Sequence, residues 1–295
     1  MAQINFEGPT GLKKNEILAV HTTLNIGGAA DWFYEAKTTE DLLAAVAFAR
    51  KNNLPWFILG GGSNLLVADK GFRGLVIKIH NSQFVIRNSK IVVEAGVPLV
   101  KIVDLAAKNS LTGLEFAAGI PGTIGGAVVG NAGTADKWIG DLVEKVEVLG
   151  EDGEIHQLPT SECQFGYRTS RFQKTKEIIL RVVLKLKKDS LQKIKQRIAE
   201  NLSKRANQPK EKSAGSIFKN PKEKPAGWLI DQCGLKGIRI GDAQISPQHA
   251  NFIVNLGKAR AADVLKLISL ARTEVRKKFG VELEEEIYLL GFGRI

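Results

Sequence analysis

The longest run without a charged residue, residues 116–135, constrains the fold more than any other feature of the chain. It is as long as a membrane-spanning helix, but it contains six glycines and Pro121. These residues would interrupt a helix that has to satisfy its own backbone hydrogen bonds in lipid. The start of the chain, MAQINFEGPT, has neither the basic nor the apolar segment of a secretory signal. We therefore expect a buried loop system in a soluble protein without a membrane span.

The length and composition are those of a globular protein with two or three domains. The chain has 295 residues, of which 44% are apolar and 25% are charged. One small core cannot hold that many residues, and the composition excludes a disordered tail or a fibre. The two cysteines, Cys163 and Cys233, form no disulfide framework, and the four histidines are scattered without metal-ligand spacing. We expect a cytoplasmic protein with no metal site.

The positive charge of the chain is concentrated in one stretch. The net charge is +11, and the stretch from Lys185 to Lys224 holds thirteen Lys or Arg against four acidic residues. Such a basic stretch favours anionic partners, although it is also typical of a solvated helix face. It contains one aromatic residue, Phe218, and therefore offers no stacking platform for nucleic acid. Small phosphorylated ligands fit this stretch better than nucleic acid does.

Helix and strand patterns alternate along the chain and predict a mixed α+β fold. Thr38 and Asp41 suit a capping box at the start of a helix over residues 38–51. The turn residues Glu151-Asp-Gly153 predict a hairpin. Further helices are predicted at 98–109, 190–204, 225–232 and 261–279. Strands are predicted at 56–59, 74–79, 83–87, 90–95, 142–149, 154–158, 177–187 and 283–290.

These elements predict three consecutive lobes. The first covers residues 1–70, the second 71–189 and the third 190–295, and the only linker-like stretch is 207–214. We expect the first two lobes to share one cofactor.

Two glycine-rich segments are the candidate sites for that cofactor. Glycines allow backbone N–H groups to approach a pyrophosphate without interference from a Cβ atom. Neither segment matches the Rossmann or the Walker A pattern, and each alone is as typical of a plain turn as of a ligand site. Together they favour a dinucleotide on a non-Rossmann scaffold. The candidate cofactor-binding residues are Gly60, Gly61, Gly62, Ser63, Asn64, Leu65, Gly119, Pro121, Gly122, Thr123, Gly125 and Gly126.

A set of motifs in a fixed order resembles the UDP-N-acetylenolpyruvoylglucosamine reductase (MurB) family. The matching motifs span residues 22–291, nearly the whole chain. They are Leu24-Asn-Ile-Gly-Gly-Ala29, Ile58-Leu-Gly-Gly-Gly-Ser-Asn-Leu-Leu66, Gly119-Ile-Pro-Gly-Thr-Ile-Gly-Gly-Ala127, Tyr167-Arg-Thr-Ser170, Ser213-Ala-Gly-Ser-Ile-Phe-Lys-Asn-Pro221, Gly234-Leu-Lys-Gly-Ile-Arg-Ile-Gly241 and Gly280-Val-Glu-Leu-Glu-Glu-Glu-Ile287.

The resemblance implies a fold, a cofactor and a reaction. The first two lobes would form a two-lobe FAD-binding domain of the vanillyl-alcohol-oxidase (PCMH) type, and the third a smaller α+β substrate domain. NADPH, as co-substrate, would reduce the non-covalently bound FAD. The flavin N5 would then deliver hydride to C3 of an enolpyruvyl group and a proton would reach C2, giving UDP-N-acetylmuramate for peptidoglycan synthesis. The enzyme would be a UDP-N-acetylmuramate dehydrogenase.

Two candidate catalytic residues follow from the matched motifs. By itself, Ser216 is most simply a turn or cap residue. The family places its proton donor at this position, and a neutral hydroxyl is a useful acid only toward a strongly basic carbon such as an enolate. Arg168, otherwise a surface or packing arginine, matches an active-site arginine of the family and supplies a permanent fork of donors for that negative charge.

The third candidate catalytic residue is Glu286. The run Glu284-Glu285-Glu286 alone reads as charges at the entrance of a strand. In an extended strand Glu284 and Glu286 share one face, whereas Glu285 points away. The family has a catalytic glutamate at the second position of a Glu-Pro-Glu-Val-like ending, which corresponds to Glu286 here, with Glu285 in place of the usual proline. Its implied task is to polarise the substrate carboxylate as an acid of raised pKa.

Substrate contacts and departures from the family pattern complete the prediction. Tyr167, Lys219 and Asn220 are candidate contacts to the sugar or the diphosphate. Asn207 stands where the family often has a lysine, and residues 131–137 differ from the common family loop near the flavin. Residues 172–177 leave no room for the inserted loop that carries a tyrosine in one form of the family. The resemblance therefore indicates the shorter form without a lid.

Two other functions stay open at this point. A different PCMH-type flavoenzyme acting on a small alcohol would keep the glycine segments but not the contexts of Arg168, Ser216 and Glu286. A nucleic-acid-binding protein would use the basic stretch and would carry no yellow cofactor. The preferred partners are a UDP-sugar enol ether and NADPH, with no nucleic acid and no membrane, and we expect a monomer. The preference for NADPH over NADH is not encoded in any motif.

Overall fold

The structure is a computed structural model that describes residues 8–134 and 136–293. Most of the segment inspected for a secretory signal, MAQINFE, lies outside the described residues. Ala135, the last residue of the long uncharged run, also lies outside them.

Helices and strands alternate along the described chain, as predicted. The α-helices are α1 Thr39–Lys51, α2 Leu99–Lys108, α3 Ile124–Val129, α4 Leu191–Ser203, α5 Ala226–Gln232 and α6 Ala261–Phe279. The strands are β1 Lys13–Ile17, β2 Ala29–Ala36, β3 Trp56–Leu59, β4 Leu65–Val67, β5 Phe72–Ile79, β6 Phe84–Arg87, β7 Lys90–Glu94, β8 Leu111–Thr112, β9 Val143–Leu149, β10 Ile155–Pro159, β11 Ile178–Lys185, β12 Lys187–Lys188, β13 Lys212–Ser216, β14 Arg239–Ile240, β15 Ala243–Ile245, β16 Phe252–Asn255 and β17 Tyr288–Leu290. Short 3-10 helices cover Leu18–His21, Glu115–Ala117, Ile139–Asp141, Thr160–Glu162 and Arg171–Gln173.

The chain packs into two compact units, each assembled from separate stretches of sequence. The first unit contains the segment that ends at Glu16, together with Ala30–Gly60 and Arg73–Ile198. The second contains Ile17–Ala29, Gly61–Phe72 and the segment that begins at Ala199. The three consecutive lobes, 1–70, 71–189 and 190–295, stay a prediction.

The first unit contains two larger sheets. One has the strand order β1-β2-β5-β3, with β3 parallel to β5, and α1 packs its apolar face on it through Leu42 and Val46. The predicted capping box of α1 is present: Asp41 N–H donates to the Thr38 hydroxyl at 3.1 Å, and the Thr38 N–H donates to the Asp41 carboxylate at 3.1 Å. The local sequence therefore determines where this helix begins.

The second sheet of this unit has five antiparallel strands in the order β10-β9-β11-β7-β6. The predicted hairpin around Gly153 joins β9 to β10, with Leu149 opposite Ile155. The apolar side chains of β7, β9 and β11 pack with α2 and α3 in a core that includes Ile102, Ile124 and Val182. This packing places the short helix α3, and the glycine-rich turn before it, against the sheet. The uncharged run is thus mostly buried, as predicted, but it contains α3 as well as loops.

The second unit consists of a four-stranded sheet, two helices and a strand pair. The sheet has the order β13-β16-β15-β14, and α5 and α6 pack on it through residues such as Leu229 and Leu267. α6 spans the predicted residues 261–279 and ends at Gly280, which has φ 67° in the left-handed region. A residue with this φ is usually glycine because it has no Cβ clash. The second strand pair joins β17 in parallel to β4.

The predicted terminal strand over 283–290 is too long. Only Tyr288–Leu290 is a strand, and Glu285 before it forms an isolated bridge with Phe218. The linker-like stretch 207–214 also contains the start of β13. In the part of the chain that the structure describes, no helix is both long enough and apolar enough to cross a membrane.

Candidate active site

The second glycine segment of the sequence forms a tight turn in the first unit. Gly119 and Gly122 have φ angles of 76° and 108°, which residues with a side chain rarely adopt. The Thr123 hydroxyl then accepts a hydrogen bond from the Gly126 N–H at 3.3 Å and caps α3. The turn therefore ends in a fixed helix start.

The end of β3 packs directly on this turn. A Cβ atom at Gly60 would lie 2.7 Å from the Thr123 hydroxyl oxygen, and one at Gly125 would lie 2.8 Å from the Ala95 Cβ atom. Real side chains do not tolerate such distances, so glycine at both positions is required by packing. Gly60 and Thr123, sixty-three residues apart in sequence, are thereby neighbours.

The donor set of this turn fits the pyrophosphate of a dinucleotide. Residues 119–126 carry no charged side chain, so the turn presents peptide groups and one hydroxyl. Backbone N–H groups in glycine turns bind anions, and an acidic side chain would repel them. Within the turn the N–H groups of Ile120, Ile124, Gly125 and Gly126 already donate to protein oxygens. The fit to a pyrophosphate therefore rests on the N–H groups of Gly119, Gly122 and Thr123 and on the Thr123 hydroxyl.

Arg168 lies in a second tight turn of the first unit. The Gly166 N–H donates to the Thr169 oxygen at 3.0 Å, and Arg168 between them has φ 54°. A residue with a Cβ atom in this region costs on the order of 1 kcal/mol and persists only where neighbouring contacts impose it.

Two side-chain amides impose this conformation. Asn131 donates to the Gly166 oxygen at 2.8 Å, and its own side-chain oxygen accepts from the Gly140 N–H at 2.9 Å. Gln173 donates to the Arg168 oxygen and to the Val129 oxygen, each at 3.1 Å. Because Val129 is the last residue of α3, these bonds tie the Arg168 turn to the helix that follows the glycine turn.

The side chains of Tyr167 and Arg168 lie next to each other. The Arg168 guanidinium donates to the Gly133 oxygen at 3.1 Å and lies 5.9 Å from the centre of the Tyr167 ring. The ring also meets Trp138 edge to face at 5.7 Å, and Tyr167 is 43% exposed. A cation, a phenol hydroxyl and an aromatic face are therefore available at one place on the first unit.

Ser216 ends strand β13 in the second unit, just after a bulge. The register of β13 against β16 shifts between Ser213, opposite Val254, and Ser216, opposite Phe252. Gly215 within the bulge has φ 76°, and a Cβ atom there would lie 3.9 Å from the Ser63 oxygen. The bulge thus lies beside the first glycine segment, and bulges commonly redirect a side chain at a functional site.

Glu286 is hydrogen-bonded to both neighbouring segments of the second unit. Its N–H donates to the Ile217 oxygen at 2.7 Å, and its oxygen accepts from the Asn64 side chain at 3.0 Å. The Asn64 oxygen in turn accepts from the Tyr288 N–H at 3.0 Å. The backbone segments of Ser216, Glu286 and residues 61–65 therefore lie together within one unit.

The first glycine segment has its own packing requirement. Gly62 has φ 62°, and a Cβ atom there would lie 2.1 Å from the His21 oxygen. The Thr23 hydroxyl beside it donates to the Ser213 oxygen at 2.7 Å. The segment is thus held against β13 by polar contacts as well as by close packing.

Lys219 and Asn220 already have partners within the protein. The Lys219 ammonium forms an ion pair with the Glu284 carboxylate, and the Lys219 N–H donates to the Glu284 oxygen at 2.9 Å. The Asn220 side-chain oxygen accepts from the Ala226 N–H at 3.0 Å, at the start of α5. Glu285 points elsewhere, toward Arg272 on α6 at 2.9 Å. This alternation agrees with the predicted faces of Glu284 and Glu285.

The predicted site residues fall into two groups. Arg168, Tyr167, Gly60 and the 119–126 turn belong to the first unit, whereas Ser216, Glu286, Lys219, Asn220 and residues 61–65 belong to the second. That all of them face one flavin and one substrate stays a prediction. Sequence reasoning missed the two amides that hold the Arg168 turn, Asn131 and Gln173. Their only sequence signal is a polar residue next to an apolar segment, which is too common to be informative.

Two domain profiles match the chain. The profile described as FAD binding domain matches residues 30–159, and the profile described as UDP-N-acetylenolpyruvoylglucosamine reductase, C-terminal domain, matches residues 208–290. With the mixed helix and strand content, they confirm the predicted α+β fold with an FAD-binding domain followed by a second domain.

Near full-length relatives carry one name. UDP-N-acetylenolpyruvoylglucosamine reductase from Moorella thermoacetica is 46% identical over 96% of this chain and 96% of its own length. The enzyme of the same name from Clostridium tetani is 43% identical over 96% of this chain and 94% of its own. A crystal structure of this reductase from Thermus caldophilus is 42% identical, with a TM-score of 0.82, and covers 95% of this chain and 99% of that one. The chain belongs to the UDP-N-acetylenolpyruvoylglucosamine reductase family.

Proposed function

We propose that this chain reduces the enolpyruvyl ether of UDP-N-acetylglucosamine to UDP-N-acetylmuramate, with FAD bound non-covalently and NADPH as co-substrate. The family membership supports the reaction and its place in peptidoglycan synthesis. The observation that carries the proposal for the site is the hydrogen bond of 2.7 Å from the Glu286 N–H to the Ile217 oxygen. It joins the backbone of Glu286 to the residue after Ser216, and a carboxyl and a hydroxyl are the two groups that the second half of this reaction needs.

The two glycine segments are proposed to hold the FAD. Residues 119–126 and Gly60 would take the pyrophosphate with peptide groups and the Thr123 hydroxyl, and residues 61–65 are proposed to contact the same cofactor. The chemistry that FAD supplies when bound is hydride transfer, first from NADPH and then to C3 of the enolpyruvyl group.

Ser216 is proposed to supply the proton. After C3 receives a hydride, the electron pair of the former double bond lies on C2 and spreads into the adjacent carboxylate. The Ser216 hydroxyl donates its proton to C2, which completes the saturated lactyl ether, and the serine is reprotonated from solvent. A hydroxyl can act here because the receiving carbon is strongly basic.

Arg168 and Glu286 are proposed to stabilise the charge that precedes this proton transfer. The guanidinium is always charged, so its donors strengthen their contact as negative charge grows on the substrate carboxylate. Glu286, as a neutral acid, would donate a hydrogen bond to the same carboxylate. An ionised Glu286 would repel the substrate carboxylate, so this role requires the neutral form of Glu286.

Tyr167, Lys219 and Asn220 are proposed to contact the UDP-sugar. The ammonium of Lys219 forms an ion pair with Glu284, so a diphosphate would compete with that carboxylate for it. Lys204, Arg205 and Lys210 are the nearest basic residues in sequence to Asn207, which stands where the family often has a lysine.

The division into lobes 1–70, 71–189 and 190–295 and a monomeric state belong to the same proposal. So does a cytoplasmic location, which the two unpaired thiols Cys163 and Cys233 support.

A spectrum and a product analysis test the proposed function. We expect the purified protein to be yellow, to lose that colour with NADPH, and to recover it without oxygen when the UDP-sugar enol ether is added, with UDP-N-acetylmuramate as product. A yellow protein that consumes NADPH but ignores the UDP-sugar, and oxidises a small alcohol instead, would assign another flavoenzyme activity. A colourless protein with affinity for nucleic acid that falls steeply with salt would exclude both.

A further inference from the structure

A buried amide side chain, Asn251, holds the backbone that follows Ser216. Asn251 is 3% exposed. Its side-chain oxygen accepts from the Phe218 N–H at 2.9 Å, and its side-chain nitrogen donates to the Phe218 oxygen at 2.8 Å. Both backbone groups of one residue are thus satisfied by one side chain, which acts in place of a neighbouring strand.

The backbone of Asn251 holds the same segment. Its oxygen accepts from the Ile217 N–H at 2.8 Å. Consecutive residues 217 and 218 are therefore fixed by a single residue through three hydrogen bonds. These bonds begin where the regular pairing of β13 with β16 has been shifted by the bulge before Ser216.

The direction of the Ser216 side chain depends on these bonds. A bulge adds one residue to a strand, and a shift by one residue would turn the side chain to the other face. Gly215 in the bulge has φ 76° and lacks the side chain that would restrict the backbone before Ser216. The residues after it, which Asn251 holds, supply part of the restriction, together with the bond from the Thr23 hydroxyl to the Ser213 oxygen.

The segment that Asn251 holds also bonds to the segment of Glu286. The Ile217 N–H binds Asn251, and the Ile217 oxygen accepts from the Glu286 N–H. Two residues further along the chain from Ile217, the Lys219 N–H donates to the Glu284 oxygen at 2.9 Å. Residues 217–219 thus lie between Asn251 on one side and residues 284–286 on the other.

We propose that Asn251 is a positioning residue for the proton transfer, acting through the backbone of Ile217 and Phe218 on Ser216. This inference rests on the proposed role of Ser216. It predicts that loss of the Asn251 amide slows the half-reaction with the UDP-sugar and spares the half-reaction with NADPH, since only the former uses the Ser216 proton.

The substitution Asn251→Asp makes this proposal testable by pH. A neutral carboxylic acid reproduces the acceptor and the donor of the amide, whereas a carboxylate keeps the acceptor and repels the Phe218 oxygen. Burial raises the pKa of such a carboxyl, by up to about 3–5 units at fully buried positions. The bonds to Phe218 should therefore be present at low pH and lost as the pH rises.

Stopped-flow measurement of the FAD-loaded enzyme separates the two half-reactions. For Asn251→Asp we expect reoxidation by the UDP-sugar to approach the wild-type rate at about pH 5.5 and to fall about 10- to 100-fold below it at about pH 8.5. Reduction by NADPH should stay within about twofold throughout. Dividing each rate by the wild-type rate at the same pH removes the effect of other titrating groups that face this segment. These groups are His249, Lys219, Glu284, Glu285 and Glu286, and Arg272 stays charged throughout.

The chain offers a matched control at the far end of strand β16, which begins directly after Asn251. Asn255 is 4% exposed and also uses both ends of its amide, donating to the Leu24 oxygen at 3.0 Å and accepting from the Gly257 N–H at 2.9 Å. It makes no bond to residues 216–218 among the described residues. Asn255→Asp should lower the midpoint of thermal unfolding, while the ratio of its two half-reaction rates to wild type stays independent of pH.

Hydrogen exchange supplies a readout besides activity. In Asn251→Asp the Phe218 amide should lose protection as the pH rises, relative to wild type at the same pH. A loss of protection without a change in reoxidation would overturn the positioning role, and so would a pH-dependent loss shared equally by both half-reactions. If Asn251→Asp does not fold, Asn251→Ser serves as the test variant. The serine side chain is too short to reach Phe218, so we expect slow reoxidation at every pH.

Failure of the proposed function gives a different result. Wild-type enzyme that is not reoxidised by the UDP-sugar would contradict the reaction itself, whatever the Asn251 variants do. Wild-type enzyme that turns over normally, together with an Asn251→Ser variant of unchanged reoxidation rate, would contradict only the inference about Asn251.

Discussion

The Glu286 N–H donates to the Ile217 oxygen at 2.7 Å, so the candidate acid Glu286 is bonded to the residue that follows the candidate proton donor Ser216. Glu286 and Ser216 are seventy positions apart in sequence. The Asn64 side chain, from the first glycine segment, holds the other backbone group of Glu286 at 3.0 Å. A cofactor segment and two candidate catalytic segments therefore share one backbone network within the second unit. Single substitutions in these segments separate the roles of the candidate residues.

Ser216→Ala should leave FAD bound and reducible by NADPH, because the hydroxyl takes no part in that step. Product formation should fall by about 10²-fold or more, the usual scale for loss of a general acid. Single-turnover reoxidation by the UDP-sugar is the measurement. Ser213→Ala on the same strand is the control and should change the rate by less than about twofold. Near-normal turnover of Ser216→Ala would remove this residue from the mechanism.

Glu286→Gln should slow reoxidation by the UDP-sugar and spare reduction by NADPH. The amide has the size of the neutral acid but is a weaker hydrogen-bond donor to a carboxylate, and we expect a loss of about 10- to 100-fold. Glu285→Gln is the control, since the Glu285 side chain pairs with Arg272 on α6 and its bridge to Phe218 involves only the backbone. Equal losses in both half-reactions of Glu286→Gln would indicate a folding defect instead.

Two substitutions of Arg168 should differ in stability but not in activity. Its φ of 54° is easier for glycine than for any residue with a Cβ atom. Arg168→Gly should therefore be more stable than Arg168→Ala by about 1 kcal/mol, although glycine usually destabilises. Both variants lack the guanidinium and should lose turnover to a similar extent. Urea unfolding of the two variants measures the difference; an alanine variant at least as stable as the glycine variant would show that the turn is not strained.

His249 should make the second unit less stable in mild acid. Burial lowers the pKa of His249, and the nearby Lys236 acts in the same direction. The unfolded chain, with an ordinary pKa of about 6.5, then binds a proton that the folded chain does not. Stability is therefore complete above about pH 6.5 and declines as the pH falls from there toward the lower pKa of the folded state.

Urea unfolding between about pH 7.5 and 5.5 measures this decline, and His249→Gln removes the titrating group. We expect a flatter stability profile for the variant than for wild type over that range. Identical slopes in the two proteins would show that His249 contributes nothing to the acid sensitivity.

Local patterns in the sequence predict the elements that depend on local interactions. The helix that begins after Thr38 and the helix that ends at Gly280 lie where the capping residues place them, since capping needs only neighbours in sequence. The hairpin around Gly153 is also local. These elements require no knowledge of the rest of the fold.

Elements that depend on distant partners were missed or misjudged. The terminal strand was predicted over 283–290, but its pairing needs β4, more than two hundred residues away, and regular pairing covers only Tyr288–Leu290. The assembly of each unit from separate stretches has no local signal either. Asn251 is the clearest case in the site, because an asparagine before an apolar strand gives no indication that its amide holds Phe218.

The site itself could be predicted from motifs but not from local physics. Ser216 and Glu286 are a serine in a turn and a glutamate in an acidic run, and only the order of the surrounding motifs distinguished them. Their neighbourhood depends on the bulge in β13 and on the bonds of residues 284–286 to residues 217–219. Neither has a periodic pattern in the sequence.

The most direct test of the account is the crystal structure of the oxidised, FAD-loaded enzyme with the UDP-sugar enol ether bound. We predict that C3 of the enolpyruvyl group lies next to the flavin N5 and that the Ser216 hydroxyl lies within about 3.5 Å of C2, with Arg168 and Glu286 on the substrate carboxylate. A complex in which the substrate occupies the flavin pocket while the Ser216 hydroxyl lies far from C2 would contradict the account.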